Sequence, residues 1–149
     1  MQNSPSVEAR RPEDGLGPFV ALAVLCDRIE PRPDGAVDVH GIVDGVAITP
    51  ESGDPLGLRP AGVVSLTAVV SLRAGQSRGH HRLALQGVYP SGAEGPSLTQ
   101  TIEFTDALPG ASLVVPLELQ VHEPGTYHFD VRFDDQLLTR MALQVVYAV

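Results

Sequence analysis

From Phe19 onward, apolar and polar positions alternate with a period of about two, in short runs broken by clusters of Gly, Pro, Asp and Ser. The runs predict eight strands, near 19–30, 36–43, 62–73, 79–89, 97–104, 113–121, 126–133 and 137–148. No segment repeats with the 3.6-residue period of an amphipathic helix. Eight short strands with turn signals at this spacing predict an all-β fold, an antiparallel β-sandwich of immunoglobulin-like or Greek-key type. Residues 1–17 read as a polar, disordered tail and residues 18–149 as one domain. The stretch from Thr49 to Pro60 is too rich in Pro and Gly for a strand and reads as a long crossing loop.

Two hairpins can be given a register. Val115, Leu117, Leu119 and Val121 must share a core with Tyr127, Phe129, Val131 and Phe133. A turn at Pro124, Gly125 and Thr126 would pair Val121 with Phe129, Leu119 with Val131, and Glu118 with Arg132. The next turn, around Asp134 to Gln136, returns Leu137, Thr139, Met141, Leu143 and Val145 to the same side. In the first hairpin a loop from Pro31 to Gly35 would pair Ile29 with Val37, Arg28 with Asp38 and Leu25 with Gly41. Gly41 inside a strand signals a bulge or a close backbone approach. Asp27 interrupts the inward side of this hairpin and is expected near the strand end, bonded to a turn. Pro116 has no amide donor, which marks its strand as an edge or as bulged at that point.

Composition narrows the function classes. The ten basic residues are all Arg, against eighteen Asp and Glu, for a net charge of −8. That balance repels polyanions, so nucleic acid is not an expected partner. The absence of Lys removes Schiff-base chemistry and the phosphate-binding Lys of a P-loop. No run approaches the 18 or so apolar residues that cross a bilayer, and the single Cys26 cannot form an internal disulfide. The expectation is a cytoplasmic protein.

Four segments, ALAVLCDRIE at 21–30, GAVDVHGIVDGV at 35–46, RLALQGVYPSG at 82–92 and GTYHFDVRFDDQLL at 125–138, resemble a family of short bacterial proteins known only as a domain of unknown function. The resemblance spans roughly residues 18–147. It implies a stand-alone β-sandwich and carries over no catalytic residue.

Candidate chemistry is sparse. The first hairpin's register sets Cys26 across from His40, the ingredients of an activated thiolate, but Cys26 follows Val20, Leu22 and Val24 on one strand face and reads as a packed thiol. The 121/129 register sets His122 opposite His128 with Asp130 nearby, the candidate divalent-metal pair. His80 and His81 point to opposite faces, one exposed and one partly buried, and cannot chelate together. The loop aspartates lack a D-x-D-x-D-G pattern, and no G-x-S-x-G motif is present. The reading is therefore a non-catalytic module without a cofactor that binds a protein partner, through the Pro116 edge strand or the loop from Thr49 to Pro60. Edge strands also leave homo-oligomerisation open. The alternative is a sandwich that binds a small molecule or a metal.

Overall fold

A computed structural model describes residues 16–50 and 61–148. Nine strands follow one another: β1 (Phe19–Pro31), β2 (Val37–Ile42), β3 (Gly45–Ile48), β4 (Gly62–Arg73), β5 (Gly79–Val88), β6 (Glu94–Phe104), β7 (Gly110–Val121), β8 (Gly125–Phe133) and β9 (Gln136–Tyr147). They form two layers. The first sheet runs β2-β1-β4-β7 and the second β3-β9-β8-β5-β6. The expected sandwich is present, and the eight strands foreseen are eight of these nine. The tail expected at 1–17 and the loop from Thr49 to Pro60 lie largely outside the described residues.

The core forms where the alternating faces of the two sheets meet. Leu66, Ala68, Val70 and Leu72 of β4 face Leu83 and Leu85 of β5, Tyr127, Phe129, Val131 and Phe133 of β8, and Met141, Leu143 and Val145 of β9, all buried. Burying one such side chain stabilises the fold by about 1.5 to 3 kcal/mol, so these faces dominate its energetics.

β3 is the unforeseen strand. Its four residues are too short to show alternation, and it pairs in parallel with β9, joining Val46 to Val145 and Ile48 to Tyr147. The sandwich is therefore not purely antiparallel.

The hairpin expected between β7 and β8 does not form. β7 pairs with β4 along its whole length, and β8 lies in the other sheet between β9 and β5. Glu118 stands opposite Ser65, and Arg132 opposite Ala84 and Leu137. A crossing between layers puts both apolar faces on one core as well as a hairpin does. Three residues, His122 to Pro124, can span about 10 Å, the usual separation of packed sheets. The crossing is pinned by Tyr127, buried, whose hydroxyl donates to the Glu123 carbonyl at 2.6 Å. This is a tyrosine corner, a hallmark of immunoglobulin-like sandwiches.

The first hairpin forms with a register shifted by two residues. Ile29 pairs with Val39, Arg28 with His40 and Pro31 with Val37. An even shift keeps every side chain on its face, so hydrophobic alternation cannot detect it. The loop decides instead: Arg32 donates to both carboxylate oxygens of Asp38 at 2.9 and 2.7 Å, and Asp34 caps the Ala36 amide at 3.0 Å. Gly41 adopts φ +67°, and a Cβ there would stand 3.0 Å from Cβ of Asp27, the close approach its position signalled. Asp27 is exposed rather than turned toward the core. In β9, an extra residue opposite Val131 and Arg132 shifts the phase, so Leu138 packs on the core and Leu137 faces solvent.

Candidate functional site

The edge strands β7 and β6 lie on the same side of the sandwich, one in each layer, and the layers part between them. A cavity of about 220 Å³ opens there, floored by the buried core residues Leu85, Leu119 and Phe129. Leu98 of β6, 41% exposed, and Leu117 of β7 stand on its two sides. Among the described residues Glu118 supplies its one charge.

Local sequence explains the parting. The β5–β6 ladder runs regularly to Gln86 opposite Ser97, then slips so that Val88 faces Glu94. The extra residues, Gly95 and Pro96, bulge opposite Gly87, and a Cβ on Gly87 would meet the Pro96 carbonyl at 3.3 Å. The Gln86 amide holds the bulge by donating to the carbonyls of Gly87 and Gly95, each at 2.9 Å. Bulges of this kind bend an edge strand away from its sheet.

β7 is the edge that Pro116 signalled. The Ala74 amide donates to the Pro109 carbonyl at 2.7 Å, which sets the parity of the ladder. Odd-numbered residues of β7 bond to β4, and even-numbered ones direct their backbone groups away from it. Pro116, opposite Thr67, therefore removes a donor from the free edge and none from the ladder.

The metal pair expected at His122 and His128 is not assembled by strand pairing. His122 lies exposed in the β7–β8 crossing, whereas His128 sits in β8 between Val88 and Ala142. Cys26 faces Ile42 and Thr67, not His40. Its thiol is fully buried, and burial followed by the nearby Asp27 carboxylate raises its pKa. His40 instead bonds Glu30 at 2.9 Å. As expected, His80 is exposed and His81 partly buried.

Sequence reasoning missed two clusters because each depends on pairing between strands. Among the described residues, Glu30, Asp38 and His40 form the one group of three ligand-type side chains near enough to share an ion. The β1–β2 register brings them together, but Arg32 already occupies both Asp38 oxygens and Arg28 lies 3.6 Å from Glu30. The other cluster surrounds Asp130, the one buried charged side chain among the described residues. Arg140, its cross-strand partner, grips it at 2.5 and 3.0 Å. The Arg140 hydrogen bond outweighs burial and lowers the Asp130 pKa, with further help from Arg132 and His128.

Among the described residues no helix is long and apolar enough to cross a membrane. No curated protein matches the chain. Solved structures resemble it in shape, among them the following two. An immunoglobulin-like protein from Pseudomonas aeruginosa shares 16% identity at TM-score 0.40, over 84% of this chain and 97% of its own. The alkylpurine DNA glycosylase AlkC of Pseudomonas fluorescens, bound to DNA containing an abasic site analog, shares 9% identity at TM-score 0.42. That match covers 83% of this chain and 30% of the glycosylase, so this chain spans under a third of that protein's length. A family model described as "Family of unknown function (DUF6941)" matches residues 21–146.

Proposed function

The chain belongs to DUF6941, a family of unknown function, and from that premise we propose that it is a non-catalytic interaction module that binds a protein partner in the groove between β6 and β7. The carrying observation is the cavity at the parted edges, whose floor is formed by the core side chains Leu85, Leu119 and Phe129. Its volume of about 220 Å³ decides the kind of occupant. Sites for small organic ligands run from roughly 300 to 1,000 Å³, so this one suits one or two apolar side chains of a partner. Burying such an anchor in a desolvated pocket is how a few residues come to dominate a protein–protein interface. Pro116 interrupts continuous strand addition along β7, so side-chain insertion rather than an added strand carries recognition. The same reading has the protein working in the cytoplasm, consistent with a lone buried cysteine.

The test is capture of partners from the native host with the wild-type protein and two variants. Leu98→Asp places a charge on the groove, while Val146→Asp places one on β9 away from it. A stoichiometric partner retained by wild type and Val146→Asp but lost by Leu98→Asp supports the proposal. Undiminished capture by Leu98→Asp removes it.

A further inference from the structure

Of the seven described arginines, six stand beside a carboxylate: Arg28 at 3.6 Å from Glu30, Arg32 at 2.7 Å from Asp38, Arg78 at 2.9 Å from Asp106, Arg82 at 2.6 Å from Asp135, and Arg132 and Arg140 at 3.9 and 2.5 Å from Asp130. Arg73 is the exception. In a chain with so large an excess of acid, a guanidinium left without a carboxylate is unusual, and Arg73 lines a concavity of about 520 Å³.

The concavity lies at the β4–β7 end of the first sheet, distinct from the groove. Ser71 and Arg73 alternate on one face of β4, and their partners on β7 are Ser112 and Gly110. Small residues make the hollow: two serines, and a glycine at 110 where a Cβ would crowd the Leu72 carbonyl at 3.0 Å. The Ser71 and Ser112 hydroxyls are 3.4 Å apart, and among the described residues no acidic side chain lines the site.

We propose that this concavity binds the phosphate group of a small organic molecule. A guanidinium fork pairs with two oxygens of an oxyanion, and two rotatable hydroxyls beside it can donate to the third. The volume falls within the range of small-ligand sites and leaves room for an organic portion beyond the phosphate. The overall negative charge does not forbid this, because at physiological salt exposed charges farther than about 8 Å are largely screened.

Nuclear magnetic resonance titration of the full chain at constant ionic strength, with inorganic phosphate, glycerol phosphate and acetate as probes, decides the matter. The expected result is saturable shifts at Ser71, Arg73 and Ser112, tightest for glycerol phosphate and weakest for acetate. Arg73→Gln, at an exposed position, should weaken phosphate binding by about tenfold or more without lowering the melting temperature. Ser112→Ala should weaken phosphate and leave acetate unchanged. Absence of saturable shifts, binding that survives Arg73→Gln, or acetate binding as tightly as phosphate each overturns the proposal.

Discussion

The His81 ring lies against the Phe133 ring, centroids 4.6 Å apart and planes at 28°, and both of its nitrogens meet oxygen acceptors. Nδ1 is 2.6 Å from a carboxylate oxygen of Asp134, and Nε2 is 2.8 Å from the carbonyl of Arg78. Neither an ionised carboxylate nor a carbonyl can donate, so the arrangement is satisfied when both nitrogens carry protons. When doubly protonated, His81 ties the turn between β8 and β9 to the loop before β5 through both nitrogens.

A pH dependence follows from that pair. The Asp134 hydrogen bond raises the His81 pKa, burial opposes it, and the Arg78 carbonyl and Asp134 charge add to the rise. Asp134 is the charged side chain that acts on the ring, while the guanidiniums of Arg78 and Arg82 engage Asp106 and Asp135. A group with a raised folded pKa contributes its full stability below its unfolded value, about 6.5 for His, and loses it as pH climbs through the folded value. The melting temperature should therefore fall across the neutral-to-alkaline range, and His81→Gln should flatten that fall. Equal slopes for the two proteins would refute the assignment.

The neighbouring acids behave oppositely. The Arg140 hydrogen bond lowers the Asp130 pKa against burial, and at Asp134 burial is overcome by the Arg82 amide and by His81. Both contributions are complete above about pH 3.9 and disappear as acid protonates the folded carboxylates. Acid unfolding followed by circular dichroism should begin at higher pH in Arg140→Gln than in the wild type. An unchanged midpoint would mean that the pair at Asp130 contributes nothing.

These pairs also show what the sequence could and could not tell. Alternation located eight strands, and β4 at the residues expected, because its period-two pattern is driven by burial between two layers. Pro116 revealed an edge because a missing donor restricts where a strand can sit. Alternation was blind to pairing, since Leu119 and Val131 face one core whether their strands are adjacent or in opposite sheets. The His122 and His128 pair, which depended on adjacency, was lost with it. The β6–β7 cavity depends on where the two layers part, and the hollow at Arg73 on the pairing of β4 with β7, strands distant in sequence; Gly87, Gly95 and Pro96 mark a bulge locally but not the cavity that it opens.

Tyr127→Phe tests the crossing that replaced the expected hairpin. The hydroxyl is buried and bonded at 2.6 Å, so its removal forfeits one hydrogen bond and leaves the Glu123 carbonyl without that donor. The expected loss in urea denaturation is about 1 to 2 kcal/mol. Full retention of stability would show that the corner is not pinned by this bond.

Asp134 and Asp135 both adopt left-handed backbone conformations, at φ 48° and 69°, in the turn joining β8 to β9. Glycine would relieve about 1 kcal/mol at either position. Asp135→Gly sacrifices only the exposed pair with Arg82, worth at most about 1 kcal/mol, and should be close to neutral. Asp134→Gly also breaks the bonds to His81 and to the Arg82 amide, and should destabilise. Thermal melts in which Asp134→Gly proved the more stable of the two would contradict the role assigned to that carboxylate.

Pro116 carries the last prediction. Its nitrogen faces the open side of β7, so restoring an N–H there creates a donor with no partner in the sheet. Proline and charge are two devices that keep edge strands from pairing with other chains, and Glu118 beside it supplies the second. Pro116→Thr should leave unfolding stability near that of the wild type, because no hydrogen bond to β4 is gained or lost and threonine favours strands. Sedimentation velocity should instead show concentration-dependent self-association, stronger in the double variant Pro116→Thr with Glu118→Thr. If both variants remain as monodisperse as the wild type, the edge is protected by something other than its missing donor, and the case for side-chain insertion over strand addition in the groove loses its physical basis.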